Sequence, residues 1–276
     1  MNISTIFTAK ARLLPQYTDM ADMLHTEAEH MGDCFFTDTA PDIVHVFGKF
    51  DNGTAEAVAR CRRLHIPTVL TVCDALGAFV SGRQTIGHTQ LMAQRRRLLT
   101  AASAIHATGQ EEGMAIMATA PKANVTVIAN PAVTSCIQPH VMAKSFAQLY
   151  LHTIETHERL IGEQIGRTIA AAMKKAGTPD EQAKTLSEVC ARIMYARYLN
   201  NRGLLSLQRV GTLAEMFNTA VYDEESLATL LPRMGMRGFT ASLLALLYER
   251  DLVSEGFMPI EMARKPLQLK TFTTKG

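Results

Sequence analysis

His45 and Asp74 are the side chains best suited to act as a base. His45 lies inside the apolar run Ile43-Val44-His45-Val46-Phe47-Gly48, and Asp74 directly follows Thr68-Val69-Leu70-Thr71-Val72-Cys73. A carboxylate placed just after a buried strand can accept a proton or orient a hydroxyl. The same position suits an Asx turn, and a lone strand histidine also serves as a satisfied core residue; both pairs of readings stand. Cys73 reads as a buried, inert thiol, because no base is within obvious reach to activate it. Ligands of an open parallel sheet sit at the carboxyl ends of its strands. That places Lys10 and Arg12 after the first strand, Gly48 and Lys49 after the second long run, and Thr108 and Asn130 after the last two. The expected catalytic residues are Asp74 and His45. The expected ligand-binding residues are Lys10, Arg12, Gly48, Lys49, Thr108 and Asn130, with no metal site.

Other patterns carry less. Gly48-Lys49-Phe50-Asp51-Asn52-Gly53-Thr54 has the glycine spacing of a phosphate loop but no lysine before Thr54, and that motif needs a lysine to reach the β- and γ-phosphates. It reads as a strand-to-helix turn. The first turn, Thr8 to Pro15, has no glycine, which excludes a dinucleotide fingerprint there. Arg95, Arg96 and Arg97 fan around a helix and read mainly as a solvated face. Glu155 and Glu163 lie on one side of a helix and read as surface carboxylates.

The elements that position these residues alternate. Strands are expected over Ile3–Ala9, Cys34–Thr37, Ile43–Phe47, Thr68–Cys73, Ser103–Ala107 and Val125–Ala129. Helical patterns fall between them, near 16–31, 54–64, 89–102 and 108–119. Thr108-Gly109-Gln110-Glu111 fits a capping box in which Glu111 reaches back to Thr108. Strand and helix in alternation specify a doubly wound, Rossmann-like parallel sheet of α/β class. After Pro139 only helical patterns remain: a long one to about Lys175, then 180–199, 212–220, 224–230 and 240–250. The expected organisation is a sheet domain over 1–138, a mainly helical region over 139–258 whose first helix packs back on the sheet, and an irregular tail over 259–276.

Composition narrows the function classes. The chain has 276 residues, 47% hydrophobic and 20% charged, as an ordinary globular protein has. A net charge of +2 with no tryptophan argues against nucleic acid as partner. The five cysteines form no Cys-x-x-Cys pair, so neither a zinc site nor a redox dithiol is indicated. No signal peptide and no membrane-length apolar run are visible. The chain is read as cytoplasmic, with peripheral contact at the inner face of a membrane left open.

Four of these segments together resemble the amino-terminal domain of family-4-type GT-B glycosyltransferases. They are Asp42-Ile43-Val44-His45-Val46-Phe47-Gly48, Ile66 to Asp74, Leu98 to Thr108 with Glu111-Glu112, and Val127-Ile128-Ala129-Asn130-Pro131-Ala132-Val133. The resemblance implies a glycosyltransferase-like protein whose first domain takes a sugar or glycolipid acceptor. It departs from the family at two positions, where Phe47 and Cys73 stand in place of histidines. The family also places a second, nucleotide-sugar-binding domain after the segment matched by Asn130–Val133. Here Pro139 to Tyr150 follows instead, and it resembles the family's closing helix. The implied activity is therefore that of an acceptor-side half, with a partner supplying the nucleotide-sugar and no other cofactor. The alternative is a catalytically silent relative acting as an interaction or regulatory module in glycan biosynthesis. A third reading is an unrelated small-ligand protein of the same fold. A protein partner, or a second copy, would meet the helical region.

Overall fold

A computed structural model describes residues 1–32, 35–37, 40–73, 86–134, 137–253 and 259–270, with the side chains of 86–88 and 180–181 outside that set. The chain divides into two units, Met1–His157 and a second from Glu158 onward.

The first unit is a six-stranded parallel sheet. Its strands are β1 (Asn2–Phe7), β2 (Phe35–Phe36), β3 (Ile43–Gly48), β4 (Thr68–Val72), β5 (Ala104–Ala107) and β6 (Val125–Val127), in the order β2-β1-β3-β4-β5-β6. Every residue of β3, β4 and β5 is buried. That is why these strands read as continuous apolar or β-branched runs. The chain winds one way from β1 to β2 and the other way from β3 onward, so the direction reverses between β1 and β3. Helices α1 (Pro15–Met31), α2 (Asn52–Arg63), α3 (Ile86–Ala101) and α4 (Gln110–Thr119) connect the strands. The fold is the doubly wound α/β arrangement expected from the sequence.

Each face of the sheet has its own core. On one face Met20, Ala21, Leu24 and Ala28 of α1 meet Ile3, Ile43 and Phe47. On the other, Val58 and Cys61 of α2, Leu98 and Leu99 of α3 and Ile116 of α4 meet Val44, Val46, Leu70 and Ile105. The long helix α5 (Pro139–Ala176) begins on its proline, whose missing N–H costs nothing at that position. Its first half presents Met142, Ala143, Phe146, Leu149 and Tyr150 at helical spacing to the α1 face.

The second unit is helical throughout its described elements, with α6 (Asp180–Arg202), α7 (Leu207–Thr219), α8 (Glu224–Arg233) and α9 (Arg237–Glu249). All four differ at their starts or ends from the sequence patterns, α6 running three residues past Leu199. Helix α7 begins well before Thr212 because Ser206 caps it, its hydroxyl accepting from Arg209 N. Helix α8 runs past Leu230 through Pro232, and α9 starts at Arg237. Leu186, Val189, Cys190 and Ile193 recur every three or four residues along α6 and form the centre of its core, with Phe217, Leu227, Leu231, Leu243 and Leu247. The irregular segment 259–270 is tied down by Ala263 N to Ala241 O and Leu267 N to Ser242 O.

Among the described residues of this unit one charge is buried. Arg202 is 2% exposed, and its guanidinium donates to Glu158 Oε1 at 2.9 Å and to the Tyr198 hydroxyl at 2.7 Å. Tyr198 in turn donates to Glu158 Oε1 at 3.0 Å. Glu158 keeps 32% of its side chain in water while Arg202 keeps 2%. Removing the two partners should therefore have unequal effects. Glu158→Ala strands a buried cation and should cost about 2 kcal/mol, below the ~3–5 kcal/mol of a fully buried pair because water reaches the carboxylate. Arg202→Met leaves a carboxylate that water can solvate, and urea denaturation should find it the milder of the two changes.

Candidate functional site

The carboxyl edge of the sheet is drawn together by backbone bonds just past the strand ends. Thr8 N donates to Phe47 O at 3.0 Å, Cys73 N to Gly48 O at 2.9 Å and Ile128 N to Ala107 O at 2.9 Å. The residues that follow β1, β3, β4, β5 and β6 thus share one edge. Lys10, Arg12, Gly48 and Lys49 flank the point where the strand order reverses, the usual position of a cleft in such sheets. Lys10 and Arg12 are exposed and Lys49 is half-buried. Arg12 belongs to a single 3-10 turn, Ala11–Leu13, held by Ala11 N and Arg12 N on Thr8 O at 2.9 and 3.1 Å. The Thr8 hydroxyl is buried and has no hydrogen-bond partner among the described residues. Asp74 lies outside the described residues.

Gly48 is there for steric reasons. A Cβ at this position would come within 2.6 Å of Thr54 Cγ2. Thr54 is held close by Asp51, which caps α2 and accepts from Thr54 N at 2.9 Å and from Thr54 Oγ1 at 3.0 Å. The glycine spacing that mimics a phosphate loop is thus a tight strand-to-helix turn.

Asn130 is also engaged. Its amide donates to Gln16 O at 2.8 Å and its side-chain oxygen accepts from Ala132 N at 2.9 Å. Asn130 thereby pins the segment after β6 to the start of α1. Thr108 donates twice, from N at 2.6 Å and from Oγ1 at 2.7 Å, to Glu112 Oε2. The reach-back is therefore made by Glu112, not Glu111, because Gly109 is the capping position and Glu112 the third helical one, and the cap itself carries no side-chain hydrogen bond. Burial pushes the Glu112 carboxyl above its usual range, while the bonds from Thr108 pull it down.

His45 is wholly buried, with both ring nitrogens bonded: Nδ1 lies 2.6 Å from the Tyr150 hydroxyl and Nε2 2.7 Å from Thr71 Oγ1. Thr71 Oγ1 lies 2.8 Å from His106 Nδ1, and His106 Nε2 lies 2.8 Å from Ile128 O. A carbonyl can only accept, so His106 Nε2 donates and its Nδ1 accepts from Thr71. Thr71 has one proton, so it must accept from His45 Nε2. Nδ1 of His45 then accepts from Tyr150. One terminal carbonyl thus fixes the direction of four bonds running from α5 across β3, β4 and β5 to the end of β6. Tyr150, Thr71 and His106 were not singled out from the sequence. The available signal was parity: Thr71 pairs with His106 and Phe47 with Thr71 in the register, so polar residues on three adjacent strands share one face.

Both histidines are neutral in the fold. Burial lowers His106 to about 4. Burial first, and then the neighbouring His106 and His25, push His45 well below its ordinary value. The positions where the resemblance places histidines hold packed groups instead. Phe47 is stacked on Phe7 with ring centres 4.5 Å apart and on His45 at 4.2 Å. The Cys73 thiol is buried and donates to Thr71 O at 3.6 Å. Among the described residues no group of three or more His, Cys, Asp or Glu is arranged to hold a metal ion.

Residues 11–131 match the family model of the glycosyl transferase 4-like domain. This segment, which contains five of the six strands but neither β1 nor Lys10, is similar to the amino-terminal domain of family-4 glycosyltransferases. Comparison with curated proteins and with solved structures returned no significant match. Among the described residues no helix is long and apolar enough to cross a membrane.

Thr71→Val keeps the shape of the side chain and leaves two buried ring nitrogens without partners. It should cost roughly 2–6 kcal/mol, at ~1–3 kcal/mol per orphaned group, whereas Thr71→Ser should stay close to the wild type in thermal and urea melts. Acid should act through the same groups. Unfolded histidines bind protons below about pH 6.5, while His106 resists until about 4. The unfolded state therefore binds more protons in that window. Stability should be full above pH 6.5 and fall as pH drops toward 4, and a His106→Gln variant should show a shallower slope.

Proposed function

We propose that this protein is the acceptor-side half of a glycosyltransferase, holding a sugar or glycolipid acceptor at the carboxyl edge and taking its nucleotide-sugar from a partner chain. The observation that carries this reading is the match over residues 11–131, which includes Arg12 and, on the β3 side of the strand reversal, Gly48 and Lys49, and begins one residue after Lys10. Lys10 and Arg12 supply exposed donors and positive charge for hydroxyls or a lipid phosphate. The buried Thr8 hydroxyl leaves an open hydrogen-bonding position on the same edge. Asp74 is the proposed base. In the family resemblance the donor domain follows the Asn130–Val133 segment. Here only residues 134–138 separate that segment from α5, whose first half covers the α1 face. The partner, or a second copy, meets the helical unit. The protein is proposed to be cytoplasmic, working at or near the inner face of a membrane, with no metal requirement.

A second reading, a catalytically silent relative acting as an interaction module in glycan biosynthesis, is favoured by Phe47 and Cys73. Both are packed into the core where the family carries imidazoles. A panel of UDP- and GDP-hexoses titrated into the chain alone by calorimetry should give no binding heat; tight donor binding would overturn both readings. Sugar transfer that requires a co-purified partner and is lost in Asp74→Asn would establish the first, and a partner complex without transfer would establish the second.

A further inference from the structure

The α2–α3 groove lies on the opposite face from α1 and α5 and shares only the turn residues Phe50, Asp51 and Asn52 with the edge described above. It encloses about 500 Å³ and is lined by Arg62, Arg95 and Arg97 over a floor that includes Ala55, Ala59 and Leu98. The charge here is concentrated. Helices α2 and α3 together carry six arginines and one glutamate, in a chain whose net charge is only +2. Asp51, the one acidic residue lining the groove, is committed to the cap of α2 through Thr54. Arg96 is turned away, its Nε donating to Thr119 O at 2.9 Å. Arg62 and Arg97 have no ion-pair or hydrogen-bond partner among the described residues.

Arg95 is held in a different way. Its guanidinium lies 5.0 Å from the centre of the Phe50 ring, a cation–π arrangement that orders a long side chain in advance. An ordered guanidinium gives up less entropy when it closes on a ligand. Guanidinium forks match the oxygens of a phosphate. The alanines of the floor leave depth between the helices. Phe50 and Leu91, the latter 39% exposed, supply apolar surface on the lining.

We propose that this groove is a binding site for a phosphate monoester bearing a flat or apolar group, with Arg62, Arg95 and Arg97 on the phosphate and Phe50 and Leu91 against the remainder. The proposal does not depend on the glycosyltransferase reading, because none of these residues lies among the acceptor-site groups. The chemistry is common to a soluble ester and to an anionic lipid headgroup. Phenyl phosphate titrated into the full chain by calorimetry tests the first source, with phenol as the uncharged control. Flotation with vesicles containing phosphatidic acid, against vesicles of phosphatidylcholine alone, tests the second. Binding in either arm should weaken at least tenfold in the triple variant R62Q/R95Q/R97Q, and should persist in R192Q/R209Q, which removes two arginines of the helical unit. Matching circular dichroism melts of the two variants establish that both fold. Absence of binding to phenyl phosphate and to phosphatidic acid alike, or binding that the triple variant retains undiminished, overturns the proposal.

Discussion

A peptide carbonyl with no proton to give determines the interior of the first unit. Because Ile128 O can only accept, His106, Thr71, His45 and Tyr150 each have a single allowed role. All four are essentially buried, so every bond in the row must be made or an orphaned polar atom results. The row therefore fixes more than tautomers. It holds α5 against the sheet at a set rotation, since Tyr150 must meet His45 while Phe146 packs beside both rings. It also ties four neighbouring strands near their carboxyl ends.

That rigidity frames the carboxyl edge. Gly48 admits Thr54, Asp51 holds Thr54, and the turn into α2 has no slack left. Asn130 fastens the far side to α1. Between these anchored points stand exposed Lys10 and Arg12 and half-buried Lys49. All three cations are carried on backbone that is itself held in place. The arginine-lined groove follows a different pattern, since there an aromatic ring orders one of the cations.

The sheet was legible because strands covered on both faces leave unbroken β-branched runs, as in Thr68–Val72. The doubly wound α/β class and the helical C-terminal region followed from the alternation of patterns and its loss after Pro139; the strand order did not. The hydrogen-bonded row was not legible. β4 and β5 are separated by about thirty residues of chain, and nothing in Thr71 or His106 alone announces that they sit side by side. His45 was visible as a candidate, but whether a strand histidine is satisfied depends on partners from β4 and α5. The capping residue was misplaced by one, Glu111 for Glu112, because Gly109 rather than Thr108 opens the helix. Ser206 was passed over because no acidic residue stands three positions on to complete a recognisable box.

The single direction of the buried row has an electrical meaning. Moving a proton from Tyr150 toward Ile128 would need every hydroxyl and imidazole to hand one forward, and the last recipient would be an amide oxygen, a far weaker base than either imidazole. The row cannot conduct. It is an insulator that stores orientation, and it keeps the interior of the sheet electrically silent behind whatever charge arrives at the edge.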